Sequence, residues 1–371
     1  MAYQSNPFTP SFASMPPILI GRSDVLLDVR DGLREGIGSP LRANKITGPR
    51  GVGKTTLLMA ASDVALEEGW IPVNVDPSEH MMDEMLDLAT ERSRHLLADS
   101  PRKVASVSAG PVGIGWEKSP APREPGWRVK ITRVLHELRE RGSGLLFIVD
   151  EVSDRHQALQ TFGKRFQNLK SEGLPVALIA AGLPLNVEQF ENLKDTTFIR
   201  RAVPHKLGEV PIAAVREALR QTFADHGRTI DAGALRRAAD ATEGYPFLVQ
   251  LVGYHIWRRA TGEHVSAEAV AAGVADAEQR IGETVHSSAV ADLSNGDRVF
   301  LLAMAGSDSA TEMGVIAAAA GWSPAAAGSY RLRLIRAGLI RAVGHGYVDF
   351  AVPYLREYLR ANADILTWNP S

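Results

Sequence analysis

The chain alternates between short apolar runs and longer segments in which apolar residues recur with a helical period. The runs 145–149 and 175–180 carry no charged side chain, which is typical of parallel strands covered on both faces. This alternation predicts an α/β domain with a doubly wound parallel sheet over residues 18–205. Shorter strands are predicted at 45–47 and 70–76, and helices at 25–33, 54–68, 77–100 and 127–141.

Four other segments have patterns of their own. Residues 1–17 are rich in Pro, Ser and Phe and are predicted to form an extended arm, whereas 101–126 is predicted to be an irregular insertion. Residues 206–290 are predicted to form an all-helical lid. In 291–371, short helices precede two alternating apolar runs around Gly344-His345-Gly346, a pattern that predicts a winged-helix domain with a hairpin wing.

The segment Gly48–Thr55 matches the phosphate-binding pattern G-x-x-x-x-G-K-[ST] at every fixed position. Its glycines allow backbone N–H groups to converge on phosphate oxygens, and the helix that follows directs its positive end to the same point. Lys54 is the expected contact of the β- and γ-phosphates, and the Thr55 hydroxyl is an expected Mg²⁺ ligand. By itself the motif predicts binding of ATP or GTP. The predicted phosphate-binding residues are Pro49, Arg50, Gly51, Val52, Gly53, Lys54, Thr55 and Thr56.

Two carboxylates, Asp150 and Glu151, directly follow the most apolar predicted strand. A nucleotide-hydrolysing site needs one carboxylate near the metal ion and often a second that activates water. Asp150 is therefore predicted to be a metal ligand and Glu151 the general base. The alternative is an ordinary acidic helix start, where the helix dipole also favours Asp and Glu.

Composition narrows the function classes. The 371 residues are 45% hydrophobic and 23% charged, with a net charge of −2 and no cysteine. Disulfides, thiolate catalysis and cysteine-ligated metals are excluded, and we expect a cytoplasmic protein without a membrane segment. Contact with nucleic acid requires a local basic patch, because the chain as a whole is not a polycation.

Two further motifs flank the phosphate loop: Ile20-Gly21-Arg22 before the first helix, and Gly244-Tyr245-Pro246 in the lid. With these motifs, the sequence resembles the P-loop ATPases of the AAA+ replication-initiator branch and the related STAND signalling ATPases, over about residues 17–360. The resemblance implies ATP and Mg²⁺ as ligands. It also implies that both motifs lie beside the adenine, with Ile20, Gly21, Arg22, Tyr245 and Pro246 as base contacts.

Plainer explanations exist for the same residues. Arg22 can be a solvated charge that caps the linker. Gly244 can end one helix and Pro246 can begin the next, since proline already has the backbone angle that a helix start needs.

The sequence departs from AAA+ ATPases at two sensor positions. The strand after the acidic pair ends in Ala180-Ala181-Gly182, without a polar side chain able to orient water. The lid helix that opens at Tyr245 has no arginine in its first turns. Both departures favour a nucleotide-controlled switch over a fast motor.

Arg200 and Arg201 occupy the region in which an arginine finger of such ATPases reaches the γ-phosphate of a neighbouring subunit. A surface pair that binds acidic side chains is an equal alternative. Under the finger interpretation, self-association is a further candidate interaction.

In the C-terminal block, a helix from Pro324 to about Ala337 is predicted to place small residues and arginines on one exposed face. Such a face suits a recognition helix in a DNA major groove, with the hairpin as a wing near phosphates. Double-stranded DNA is therefore one candidate partner, and a protein is the other. The predicted DNA-binding residues are Ser329, Arg333, Arg336, Arg341 and His345.

Two hypotheses follow from the sequence. In the first, an ATPase switch hydrolyses ATP slowly and relays its nucleotide state to the winged helix. In the second, a non-hydrolysing nucleotide-binding module uses the winged helix for protein–protein contact in signalling or defence.

Overall fold

The computed structural model describes residues 5–11, 16, 18–97, 126–153, 157–193, 196–291 and 293–364. Apart from its last residue, the insertion predicted at 101–126 lies outside the described residues. No helix in these described ranges is both long and apolar enough to cross a membrane.

The first part of the protein is an α/β domain around a parallel sheet, as predicted. In chain order its elements are α1 (Ser23–Arg34), β1 (Ala43–Thr47), α2 (Lys54–Glu67), β2 (Ile71–Val75), α3 (Met81–Leu97), α4 (Trp127–Arg139), β3 (Leu145–Val149), α5 (Gln157–Ser171), β4 (Val176–Gly182), α6 (Pro184–Glu191) and β5 (Val203–Lys206). The five strands lie in the order β2-β3-β4-β1-β5 and all their pairings are parallel. Their carboxyl ends therefore share one edge of the sheet.

Both faces of the sheet are covered, which explains why the central strands are continuously apolar. In β3, Phe147 and Val149 face a core that also contains side chains of α3, α4 and α5. Leu146 and Ile148 point to the other side, into a core with side chains of α1 and α2. Because successive side chains of a strand alternate between faces, a strand covered on both sides needs apolar residues at every position.

One strand of the sheet has no counterpart in the sequence prediction. β5 alternates between half-buried and exposed residues and contains Pro204. It lies at the edge of the sheet beside β1, where proline is tolerated because one side of the strand needs no hydrogen bonds. A short polar edge strand of this kind does not produce the apolar run that marks a central strand.

The second part of the protein is mostly helical, as predicted, and we keep the name lid for it. Its elements are α7 (Ile212–Asp225), β6 (Thr229–Ile230), α8 (Ala232–Asp240), α9 (Pro246–Arg259), β7 (His264–Val265), α10 (Ala267–Ile281), a π-helical turn (Gly282–His286) and α11 (Ser287–Ala291). The lid is not all helical, however, because β6 and β7 pair in parallel over two residues each.

Residues 5–11 of the predicted arm lie against the lid without forming a helix or strand. Phe8 is buried, and its ring centroid lies 5.2 Å from that of Phe223. The ring fills the space beside Gly253, where a Cβ atom would overlap it. Asn6 Nδ2 donates a hydrogen bond of 3.1 Å to the Tyr254 carbonyl. The arm is thus part of the lid core.

The C-terminal block combines four helices with a small antiparallel sheet. Its elements are α12 (Asn295–Ala305), β8 (Thr311–Glu312), α13 (Met313–Ala320), α14 (Pro324–Arg336), β9 (Ile340–Gly344), β10 (Tyr347–Phe350) and α15 (Leu355–Ala361). The strand order is β8-β10-β9. The short helices before the hairpin and the hairpin itself were predicted, whereas β8 and α15 were not.

The π-helical turn buries His286 where the lid meets the C-terminal block. Its Nε2 atom lies 2.9 Å from the Pro353 carbonyl oxygen, and its ring packs on Tyr358. Burial lowers the pKa of this imidazole from 6.5 to about 4. The folded protein therefore holds the ring neutral at a pH where the unfolded chain protonates it.

We expect this histidine to make the protein sensitive to acid. Its contribution to the free energy of unfolding is complete above pH 6.5 and is lost as the pH falls toward 4, because the unfolded chain then binds the extra proton. The loss should reach about 2–3 kcal/mol over this window. Chemical denaturation across the window measures it, and His286→Gln should give a flatter pH profile. An equally steep profile in the variant would contradict this assignment.

Candidate nucleotide-binding site

The phosphate loop leaves the carboxyl end of β1 and runs into α2. Gly51 and Gly53 have left-handed backbone angles, with φ of +69° and +87°, and Gly53 caps the helix. Such angles favour glycine because it lacks a Cβ atom. At Gly48, an added Cβ would lie only 2.8 Å from the Leu207 carbonyl oxygen. The three glycines thus permit a tight turn at the amino end of a helix, which is a site suited to anions.

Lys54, the first residue of α2, lies across this loop. Its Nζ atom donates hydrogen bonds to the carbonyl oxygens of Gly48 (2.9 Å) and Pro49 (2.8 Å). Burial lowers the pKa of the Lys54 ammonium, while the Asp150 carboxylate acts in the opposite direction. The side chain is therefore held where a cation can meet a phosphate bound in the loop.

The two predicted metal ligands are in direct contact. Thr55 Oγ1 donates a hydrogen bond of 2.8 Å to Asp150 Oδ2, although the two residues are far apart in sequence. Asp150 follows β3, and β4 lies between β3 and β1 in the sheet. The acidic strand is thus not the direct neighbour of the phosphate-loop strand, but the shared strand ends still bring the two side chains together.

This pair of oxygen atoms fits Mg²⁺, which is usually bound through one or two carboxylates together with phosphates and water. A site made only of protein ligands is not expected here. Within the described ranges, no cluster of three or more His, Asp or Glu residues suited to a metal occurs.

Glu151 has an unusual backbone. Its φ is +50°, a left-handed angle that is uncommon for a residue other than glycine. Its N–H group donates to Asp150 Oδ1 at 2.8 Å, so one carboxylate contacts both Thr55 and Glu151. The Glu151 side chain is exposed, as a group that activates water would be. Backbone strain of this kind is often found at functional sites.

The end of β4 lies beside the acidic pair and offers only backbone and apolar groups. The N–H group of Val152 donates to the Ala181 carbonyl at 2.8 Å. At Gly182, an added Cβ would lie 2.9 Å from the Val152 carbonyl oxygen. The tight packing leaves no room for a polar side chain at this glycine, in line with the missing sensor residue.

The two motifs predicted to flank adenine do meet at the phosphate loop. Arg22 Nη2 donates to the Gly208 carbonyl at 2.7 Å and lies 3.5 Å from the Val52 carbonyl. Burial lowers the pKa of Arg22. Its partly buried guanidinium group therefore joins the loop to the segment after β5. Gly21 lies close by: a Cβ atom added there would be 3.7 Å from the Val210 side chain.

On the lid side, the Val210 N–H group donates to the Gly244 carbonyl at 2.7 Å. Pro246 is the first residue of α9 and lies 3.8 Å from a Cβ added at Gly53. The Tyr245 hydroxyl donates a hydrogen bond to the carbonyl of Arg50. These contacts bring the lid motif onto the loop itself. The side chain of Val52, in contrast, packs into the sheet core, so only its backbone faces the site.

The C-terminal block also contacts the phosphate loop, which no pattern in the sequence indicated. Arg50 Nε donates to the Ala337 carbonyl at 3.1 Å. A Cβ added at Gly338 would lie 3.1 Å from Leu183, just before α6. The block is also joined to the segment between β5 and α7, by the ion pair between Arg341 and Glu209, with 2.7 Å between nitrogen and oxygen.

Arg200 and Arg201 lie far from the loop of their own chain. They end a 3₁₀ turn that precedes β5, and β5 runs parallel to β1. Residues before β5 are therefore at the edge of the sheet opposite the phosphate loop. Arg200 donates to the Glu191 carbonyl (3.1 Å) and to Asn192 Oδ1 (2.8 Å). These arginines are therefore not contacts of the phosphate loop in their own chain.

The five predicted DNA contacts are all exposed, but two of them form ion pairs within the protein. Arg333 Nε lies 2.7 Å from Oδ1 of the buried Asp297 in α12, and its guanidinium group packs on the Tyr330 ring. Arg341 is paired with Glu209. The helical period predicted which face of α14 is exposed, but not that Asp297 of α12 pairs with an arginine on that face.

The structure is similar to solved nucleotide-binding proteins over nearly its whole length. The Walker-type ATPase of Pyrococcus abyssi has a TM-score of 0.67 at 14% identity, covering 92% of this chain and 96% of its own. The ORC2 protein of Aeropyrum pernix, solved as ADPNP–ADP complexes, has a TM-score of 0.60 at 15% identity, covering 96% and 98%. Its ADP form has a TM-score of 0.52 at 16% identity, covering 96% of each chain.

Sequence comparisons add one match. Residues 283–359 match the family described as a domain of unknown function (DUF8462). No curated protein matches the chain. At such low identity the structural likeness establishes the fold, and it confirms the predicted class. The chain has a P-loop NTPase fold, in which a parallel α/β sheet domain is followed by helical domains.

Proposed function

We propose that this protein is an ATP-binding switch that hydrolyses ATP slowly and relays its nucleotide state to the C-terminal block. The observation that carries the proposal is the contact between Thr55 and Asp150 beside a glycine loop at the amino end of α2. A hydroxyl and a carboxylate in contact beneath a phosphate loop are the groups that a nucleotide with Mg²⁺ requires.

Each residue has a defined part in this proposal. Lys54 binds the β- and γ-phosphates, and Thr55 and Asp150 hold Mg²⁺, which when bound neutralises charge on the phosphate oxygens. Glu151 accepts a proton from the attacking water. Arg22 and Pro246 line the space beside the loop into which the base extends.

The same site supports slow turnover. The end of β4 lacks a polar side chain, and Arg200 and Arg201 do not reach their own site. A water molecule beside Glu151 thus lacks a second orienting group from this strand. An arginine from a second copy would supply transition-state stabilisation, so we propose that self-association stimulates hydrolysis.

Contacts between the C-terminal block and the phosphate loop support the relay. Arg50 belongs to the loop, and its hydrogen bond to Ala337 joins it directly to the end of α14. Any shift of the loop on nucleotide binding is therefore transmitted to this helix end through the hydrogen bond. By linkage, detachment of the block must in turn change nucleotide affinity.

We interpret the C-terminal block as a winged helix, because its order of helix, strand, helix, helix and hairpin is the order of that module. Arg336 on α14 and His345 at the hairpin tip are exposed and suit DNA phosphates. Arg333 and Arg341 are already paired with acidic side chains and are thus less available to phosphates. This favours a protein as the partner, as in the second candidate function, the non-hydrolysing module. The absence of cysteine from the sequence supports a cytoplasmic location for either function.

Incubation of the purified protein with radiolabelled ATP tests the proposal. We expect saturable ATP binding and phosphate release that requires Mg²⁺ and rises with protein concentration. Release that stays absent at every concentration, with and without DNA, while ATP still binds, would favour the non-hydrolysing module. Absence of ATP binding would overturn both functions.

Two arginines of α14 separate DNA contact from a structural role. Arg336 enters no ion pair within the described ranges, so Arg336→Ala should weaken DNA binding and reduce the salt slope by about one unit without loss of stability. Arg333→Ala should instead lower the free energy of unfolding by about 1 kcal/mol, because the buried Asp297 loses its partner. Filter binding at two salt concentrations and chemical denaturation measure these effects. An unchanged affinity and salt slope in Arg336→Ala would contradict the DNA contact and favour a protein partner.

A further inference from the structure

Tyr245 makes a contact that neither the phosphate-loop motif nor the expected adenine contact explains. It is 3% exposed, and its ring packs within the lid core. Its hydroxyl, the polar end of the side chain, donates a hydrogen bond to the Arg50 carbonyl of the phosphate loop. A ring buried in this way does not offer a face to an adenine base.

The geometry of the peptide bond gives this contact a consequence. The Arg50 carbonyl and the Gly51 N–H group belong to one peptide unit, which is planar and trans, so they point in opposite directions. A hydroxyl that holds the carbonyl toward the lid therefore turns the Gly51 N–H group away from the lid. In a loop that binds phosphate through backbone N–H groups, this orientation decides whether the donor is available.

The identity of Gly51 supports the same arrangement. A Cβ atom added there would overlap the Tyr245 hydroxyl, and φ at this residue is +69°. The loop thus requires glycine at this position for two reasons: the left-handed backbone and the close approach of the tyrosine. The second reason ties the loop specifically to the lid, because Tyr245 caps α9.

We infer that Tyr245 is a positioning residue for phosphate binding, which holds the Arg50–Gly51 peptide with the Gly51 N–H group directed to the β-phosphate of the nucleotide. The inference rests on the proposed ATP site and deepens it. It assigns Tyr245 to the phosphate end of the ligand, whereas the resemblance had assigned it to the base. It also makes closure of the lid a condition for a fully formed phosphate loop.

Nucleotides with and without a β-phosphate provide the test. In Tyr245→Phe we expect the affinity for ATP and ADP to fall about fivefold, the usual effect of one lost hydrogen bond. The affinity for AMP, which lacks the β-phosphate, should stay unchanged. Displacement of a fluorescent ATP analogue by ATP, ADP and AMP measures all three affinities in wild type and variant.

Tyr354→Phe is a matched control. The Tyr354 hydroxyl also donates to a backbone carbonyl, that of Ala241, at 2.7 Å. The control loses the same kind of hydrogen bond and should bind all three nucleotides as the wild type does. Thermal unfolding of both variants verifies that the lid remains folded.

The outcomes are distinguishable. An equal loss of affinity for ATP, ADP and AMP in Tyr245→Phe would place the residue at the base and overturn the inference, as would unchanged affinity for all three. In both cases wild-type ATP binding leaves the proposed function intact. Wild-type protein that binds none of the nucleotides would overturn the proposed function and the inference together.

Discussion

Replacement of Glu151 by Gln is expected to lower the rate of phosphate release about 100- to 10,000-fold, the usual contribution of a general base. The amide keeps the size of the side chain but cannot accept a proton from water. Glu151 is exposed and follows Asp150, and in the proposed mechanism it faces the water molecule that attacks the γ-phosphate. ATP affinity should change by less than about twofold, because the group acts only in the transition state.

Single-turnover release of labelled phosphate, together with equilibrium binding of ATP, separates the chemical step from binding. Glu188→Gln is the matched control, since Glu188 is exposed on α6 of the same domain and should not affect the rate. Undiminished release by Glu151→Gln would show that another group activates the water. The left-handed backbone at Glu151 would then need another explanation.

Lys54→Ala should weaken ATP binding about 100-fold or more. A hydrogen bond from a charged group contributes about 1.5–3 kcal/mol, and Lys54 is expected to contact two phosphates. Its Nζ atom already lies within the loop, on the carbonyls of Gly48 and Pro49, so little reorganisation is needed to meet a ligand. Isothermal titration calorimetry with ATP measures the loss.

An independent measure of the same loss is the ligand-induced rise in Tm, which should disappear in Lys54→Ala. Lys164→Ala is the control, because it removes the same charge from an exposed position on α5. Should Lys54→Ala bind ATP as tightly as the wild type, the glycine loop would not be the phosphate site. The proposed switch would then have to be abandoned.

The elements nearest the sheet centre were predictable from local pattern, whereas those at its edges were not. β3 and β4 are buried at every position, and this burial requires the continuous apolar runs seen in the sequence. β5 and β8 are short, half-exposed and polar, so they leave no periodic signal. The two-residue pairing of β6 with β7 leaves no signal either, because it depends on the helices that bring the strands together.

The candidate site residues divide in a similar way. The phosphate loop is one contiguous segment whose conformation depends on its own glycines, so its motif could be recognised directly. Asp150 was predictable because parallel strands present their carboxyl ends at one edge. In contrast, a helical wheel placed Arg333 on an exposed face without revealing that Asp297 from another helix meets it there.

The sequence by itself thus determined the sheet domain, the phosphate loop and the acidic pair, because local periodicity and local backbone angles specify them. Only the tertiary structure showed that three parts of the chain meet at Arg50. There the loop accepts a hydrogen bond from Tyr245 of the lid and donates one to Ala337 at the end of α14. Tyr245 and Ala337 lie 195 and 287 residues from Arg50, and each contact uses a carbonyl oxygen, a group that every residue possesses. The side-chain pattern therefore carries no trace of such contacts, and packing between the domains decides them.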